Sequence, residues 1–171
     1  LFLAFITEAF EYARPDLPRQ VFYVGPSVSE QRGDTDVPFP WEWLNGRPLV
    51  YTSLGTINTG ATKFFDRVIE ASDGQPWQMV ISVGRYLKLE RWKDVPGNVL
   101  LRNYVPQPAL LRRAQAVISH GGANTVNETL AAGLPAAVLP AGADHFEAAQ
   151  RLVEVGAGLR LTLRKATTVD L

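Results

Sequence analysis

Apolar positions along the chain fall into short, unbroken runs instead of alternating with polar ones. Residues 49–52, 77–83, 99–101, 116–119, 136–139 and 159–162 each form a block of strand length. Strands that read this way are covered on both faces, as in parallel sheets. Segments 61–72, 109–113, 123–132 and 144–155 lie between these blocks and are predicted as helices. Strands alternating with helices imply an α/β domain with a doubly wound parallel sheet. Folds of that class bind ligands beyond the carboxyl ends of their strands, so the chemistry is sought there.

Residues 1–20 read as a helical or irregular lead-in, and 21–24 as a short strand or extended piece stopped by Gly25-Pro26. Residues 25–48 hold Gly25, Pro26, Gly33, Pro38, Pro40, Gly46 and Pro48, the composition of a connecting segment. Within it, residues 41–44 predict a helical turn that Trp41 and Trp43 anchor to the body. The expected division is 1–24 as a lead-in or the end of a preceding domain, 25–48 as a linker, and 49–171 as the ligand-binding domain. No repeat or low-complexity tract is visible.

Composition narrows the function classes. The chain has 171 residues, enough for one domain with a full core. Its 17 basic and 17 acidic residues cancel, which argues against a nucleic-acid binder relying on a basic field. The absence of cysteine removes disulfides, thiolate catalysis and Cys-based metal sites, and two histidines leave little for a zinc centre. No apolar run approaches the roughly 20 residues of a membrane span. The apolar start, residues 1–6, is followed by Glu8 and Glu11 and lacks a basic flank, so it does not read as a signal peptide. With no initiating Met, and a helix only beginning at residues 167–171, both ends read as cut from a longer protein, and a cytoplasmic location is expected.

Four local motifs resemble known sites but lack a required part. Gly156-Ala157-Gly158 precedes a strand, whereas a dinucleotide fingerprint follows one, and Leu161 occupies its third glycine position; a helix-ending turn is the better reading. Gly55-Thr56-Ile57-Asn58-Thr59-Gly60 has the glycine spacing of a P-loop but Ala61 in place of its lysine. Its backbone N–H groups could still cradle phosphate. Asp34-Thr35-Asp36 could bind a metal, but it sits in a Gly/Pro-rich stretch away from any strand end. His120-Gly121-Gly122 is similar to the oxyanion loop of α/β-hydrolases, yet the chain contains no Gly-X-Ser-X-Gly elbow.

The informative stretch runs from Tyr104 to Glu147. After the strand at 116–119 come His120-Gly121-Gly122-Ala123-Asn124-Thr125 and a helix carrying Glu128. The two glycines allow close approach of a ligand to the backbone. The helix N-terminus offers unpaired N–H groups and a dipole that favours an anion. Asn124 and Thr125 add donors, and Glu128, one turn further on, can accept hydrogen bonds from a ribose. The block therefore suits a diphosphate attached to a ribose. Ser53-Leu54-Gly55-Thr56 repeats the small, donor-rich pattern at another strand end, and 140–145 forms a third. Asp144 reads equally well as a helix cap and as a grip on two sugar hydroxyls. A lone His120 would be read as structural; three such strand ends in one chain favour a site.

Taken together, Tyr104-Val105-Pro106-Gln107, Leu110-Leu111, His120 to Thr125, Glu128, Gly133-Leu134-Pro135, Pro140 and Asp144-His145 resemble the donor-binding signature of family-1 nucleotide-sugar glycosyltransferases. That family includes plant natural-product glucosyltransferases and bacterial macrolide and antibiotic glycosyltransferases. Residues 50–56 resemble the first strand and loop of its C-terminal domain, and Val24-Gly25-Pro26 its interdomain linker. The likeness covers residues 21–162. It implies a Rossmann-like domain, the C-terminal half of a GT-B fold, whose catalytic histidine and aspartate partner lie in an N-terminal half with no counterpart here. The 171 residues alone are then expected to bind donor without catalysing.

The resemblance also implies roles. Tyr104 stands where a tryptophan often stacks on the base, and Val105 would offer its backbone to the base edge. Gln107 and Glu128 would hold the ribose. His120 and the N–H groups of Gly122, Ala123, Asn124 and Thr125 would hold the diphosphate, with Ser53 and Thr56. Asp144 and His145 would face the sugar. The family usually shows Asp-Gln at the last pair, so His145 leaves the sugar open. Breaking the anomeric bond places negative charge on the leaving diphosphate, and preorganised donors would offset it without metal or cofactor. The implied reaction is inverting transfer of a hexose from a UDP- or dTDP-sugar to a hydroxyl of a small acceptor. The alternatives are a catalytically dead nucleotide-sugar binding module, a GT-B enzyme of the peptidoglycan N-acetylglucosaminyl transferase type, and a piece of an α/β-hydrolase.

Overall fold

The computed structural model describes residues 1–29, 36–55, 62–142 and 144–162. The body is a six-stranded parallel sheet: β3 (Leu49–Ser53), β4 (Gln78–Ser82), β5 (Val99–Arg102), β6 (Ala116–Ser119), β7 (Ala136–Val138) and β8 (Gly158–Arg160). The strand order is β5-β4-β3-β6-β7-β8. Four helices connect or flank the strands: α1 (Thr62–Ser72), α2 (Gln107–Leu111), α3 (Ala123–Ala131) and α4 (His145–Glu154).

The unbroken apolar runs have a direct structural cause. Successive strand residues point to opposite faces, and both faces are covered. In β4, Val80 packs with Val105, Leu110, Val126 and Leu152 on the side of α2, α3 and α4. Its neighbours Met79 and Ile81 pack with Phe64, Phe65 and Val68 of α1 on the other. All five residues of β4 are buried. In β3, Leu49 and Tyr51 join the first cluster, while Leu54, just past the strand, joins the second.

Several boundaries differ from the sequence expectation. The lead-in contains β1 (Phe2–Ala4), which pairs in parallel with β2 (Val21–Tyr23), Phe2 opposite Val21. Three residues paired across a 16-residue connection leave no local periodicity to read. Helix α2 begins at Gln107, two residues early, because a proline in its first turn is already set to helical φ. Trp77 lies outside β4, and β8 ends at Arg160 instead of Thr162.

The segment before β3 is tied to the body at both ends. Arg151 of α4 donates from Nε to the Phe10 carbonyl (2.6 Å) and from Nη2 to the Ala9 and Glu11 carbonyls. Its guanidinium also stacks on Tyr12 at 4.8 Å. Asn127 of α3 donates to the Phe5 carbonyl. Trp41 and Trp43 pack against the first core cluster, and Gln78 brackets the Trp turn by donating to the Trp43 carbonyl and accepting from the Asn45 N–H. Among the described residues no helix is long and apolar enough to cross a membrane.

Candidate functional site

The sheet order reverses between β3 and β6, and in open α/β sheets ligands bind beyond the carboxyl ends of the strands at such a switch point. The two strands end in the same way. Ser53 and Ser119 are register partners. Each accepts, on its hydroxyl oxygen, the N–H of the residue two ahead, Gly55 and Gly121, at 3.2 Å. These serine turns stop the strands and start the two loops side by side.

His120 stands between those loops. A Cβ on Gly55 (φ +78°) would lie 2.8 Å from the His120 ring, and one on Gly122 would lie 2.6 Å from its Nε2. Glycine at both positions is what admits the imidazole. Gly121 (φ +92°) is equally constrained, because a Cβ there would meet Val138 at 2.9 Å and the His145 carbonyl at 3.1 Å. The His145 ring meets His120 edge-on, centroids 4.5 Å apart. Burial lowers the His120 pKa to about 4, helped by His145 and opposed by a backbone contact at Ser53 and by the Asp144 carboxylate. The ring is therefore neutral at pH 7 and offers one N–H. The Nδ1 atoms of both histidines are buried without a hydrogen-bond partner among the described residues.

Beside this pair lies a buried polar chain. The Tyr51 hydroxyl donates to Gln107 Oε1 at 2.9 Å, and Gln107 Nε2 donates to Glu128 Oε2 at 2.7 Å. The Thr125 hydroxyl lies 3.5 Å from the same amide nitrogen. Gln107 is 9% exposed, Glu128 6% and Thr125 8%. Burial raises the Tyr51 pKa well above its usual value, only partly countered by hydrogen bonding with Ser53 and Ser82, so the phenol keeps its proton and serves as a donor.

The fold thus brings Ser53, His120, Gly122, Thr125, Gln107, Glu128 and His145 to one edge of the sheet. Thr125 faces Gln107. Ala123 and Asn124 are exposed in the first turn of α3, where the helix presents its unpaired N–H groups. Tyr104 is half-buried in the loop between β5 and α2, and Val105 behind it is fixed in the core. Asp144 occupies the cap position of α4 but makes no side-chain hydrogen bond to that helix; its side chain is 65% exposed, 3.9 Å from His145 Nε2. Thr56, and Asp34 and Thr35 of the acidic motif, lie outside the described residues. Among the described residues no group of three His, Cys, Asp or Glu side chains could hold a metal ion.

Two features of the site are not evident in the sequence. Tyr51 reads only as a strand residue, although it shares a face with Ser53 two positions on. A cavity of about 220 Å³ also opens beside the site, with Phe5, Phe10 and Glu11 of the lead-in on one wall and Ala123, Asp144 and Glu147 on the other. It joins residues more than 110 positions apart, which no local pattern announces.

A parallel sheet in this order, with its polar groups gathered at the switch point, is the architecture of the C-terminal, Rossmann-like half of GT-B glycosyltransferases. The glycosyltransferase of kitacinnamycin superposes with a TM-score of 0.86 at 25% identity, over 98% of this chain and 43% of that one. Residues 78–171 match the family described as "Erythromycin biosynthesis protein CIII-like, C-terminal domain", and the chain belongs to that family. A Bacillus subtilis (strain 168) protein named as an uncharacterized UDP-glucosyltransferase, YojK, is 32% identical over 92% of this chain and 38% of its own length. The 4'-demethylrebeccamycin synthase of Lentzea aerocolonigenes is 34% identical over 100% of this chain and 40% of its own. The chain spans about two fifths of the length of these relatives.

Proposed function

We propose that these residues form the donor half of an inverting glycosyltransferase that moves a hexose from a UDP- or dTDP-sugar to a hydroxyl of a small natural-product acceptor. The observation that carries this reading is the meeting of His120, the α3 N-terminus and the Gln107–Glu128 pair at one switch point. A diphosphate is held by the N–H groups of Gly122, Ala123, Asn124 and Thr125, the His120 N–H and the Ser53 hydroxyl, with Thr56 as a further donor. Glu128 and Gln107 take the ribose, while Tyr104 stacks on the base and the Val105 backbone pairs with its edge. Asp144 and His145 face the sugar. That YojK is named a UDP-glucosyltransferase supports a UDP donor for a relative of this sequence.

In the reaction, an acceptor oxygen forms a bond to the anomeric carbon as the bond from that carbon to the diphosphate oxygen breaks. The electron pair stays on the leaving diphosphate, and the donors around it stabilise the charge as it develops. Attack from the face opposite the leaving group inverts the anomeric centre. The base that takes the acceptor proton lies outside these residues, since both histidines of the chain stand on the donor side. Because these donors serve where other enzymes place a metal ion, we expect binding to survive chelation.

Calorimetry with UDP, dTDP and UDP-glucose in EDTA tests the reading. Binding at micromolar to sub-millimolar levels, unchanged when Mg²⁺ replaces EDTA, is expected. Binding that appears only with Mg²⁺ would refute the metal-free donor site, and no binding in either buffer would refute the site itself.

A further inference from the structure

We propose that Tyr51 is a positioning residue for nucleotide recognition: its hydroxyl fixes the orientation of the Gln107 carboxamide, and through it the Glu128 carboxylate. This rests on the reading of Gln107 and Glu128 as ribose contacts and adds the residue that aims them. The hydroxyl itself touches no ligand, since Tyr51 is 2% exposed.

Donor and acceptor counts fix the orientation of the pair. A carboxamide presents an oxygen that accepts and a nitrogen that donates, and turning it over exchanges the two. An ionised carboxylate only accepts, so the Gln107 nitrogen must face Glu128 and its oxygen must face Tyr51. The phenol must then donate. Each group in the chain has one consistent setting, and every member is buried, so bulk water cannot readily take a missing partner's place. Tyr51 is also where the two parts of the site meet. Its hydroxyl lies against Ser53 of the diphosphate loop and Ser82 at the end of β4, in addition to Gln107. Without the hydroxyl, the Gln107 oxygen is left buried and unpaired. If the amide turns over in response, that oxygen is brought against the Glu128 carboxylate. Either result moves the carboxylate that reads the ribose, while the diphosphate donors on α3 stay where they are.

Tyr51→Phe keeps the ring and removes only the hydroxyl. The test is calorimetry on the full chain with two probes, UDP and inorganic pyrophosphate, together with a thermal unfolding midpoint. The expected result is a UDP affinity about 5–10-fold weaker, with pyrophosphate changed less than about twofold. In a Glu128→Gln background the loss on adding Tyr51→Phe should shrink to under about twofold, because a neutral carboxamide at residue 128 can pair with Gln107 in either orientation. Unchanged UDP affinity would overturn the proposal. So would equal losses for both probes, the sign of general loosening, or the same loss in both backgrounds. Wild-type protein that binds pyrophosphate no more weakly than UDP would instead remove the ribose reading, and the proposal with it.

Discussion

The two helix-bearing edges of the site are built on different plans. At the β6–α3 edge polar groups are interlocked: a serine turn, an imidazole fitted between two glycines, and a buried amide held by a phenol and a carboxylate. At the β7–α4 edge the Asp144 side chain is mostly exposed and makes no hydrogen bond to its own helix. A pre-organised edge loses little freedom when a ligand arrives. An open one leaves its selectivity to groups brought by the ligand or by the facing segment. On this account affinity for the nucleotide is built into α3, and sugar choice is left to α4.

The largest expected effect is at the joint between the two edges. Gly121→Val places a branched side chain at positive φ and drives it into Val138 and the His145 backbone. A loss of about 3 kcal/mol or more in folding stability is expected, read as a fall in the thermal midpoint. A midpoint within a degree of wild type would mean that the edges are not locked together there.

Removing the imidazole separates the edges next. His120→Ala should weaken UDP-glucose binding by about 1.5–3 kcal/mol, the range for a hydrogen bond to a charged group. Its pH dependence sharpens the test. Free His120 titrates at about 4. A bound diphosphate favours the protonated ring and raises that value, so affinity should strengthen as pH falls from 7 toward 5 and level off below about 4. UDP-glucose suits this experiment because its diphosphate diester does not itself titrate in that range. His120→Gln should lose the slope; an identical slope in the variant would assign it to another group.

The smallest effects belong to the open edge. Asp144→Asn and His145→Gln should change UDP affinity less than about threefold, under roughly 0.7 kcal/mol, while altering the ratio of UDP-glucose to UDP-galactose binding. Losses in UDP affinity as large as those at His120 would erase the distinction between the edges.

The parts of this architecture that were legible in the sequence are the locally encoded ones. Continuous apolar runs mark strands covered on both faces, and β3 to β8 lie close to where those runs fall. His120-Gly121-Gly122 could be read because a strand end, two glycines and a helix start are consecutive. Tyr51 could not be paired with Gln107 from spacing, because their contact depends on which strand sits beside β3 and where α2 returns over it. The same holds for Gly55 and His120, brought together only by β3–β6 adjacency, and for Arg151, whose partners are about 140 positions earlier. The ambiguity at Asp144 was also physical: an aspartate at a helix start satisfies the capping pattern whether or not its side chain turns back, and here it does not.

Amide hydrogen exchange on the full chain, with and without saturating UDP in EDTA, shows which edge takes up the nucleotide. Added protection is expected at residues 119–126 and at Ser53 to Gly55, with little change in α4. Unchanged exchange over 119–126, with protection confined to α4, would contradict it.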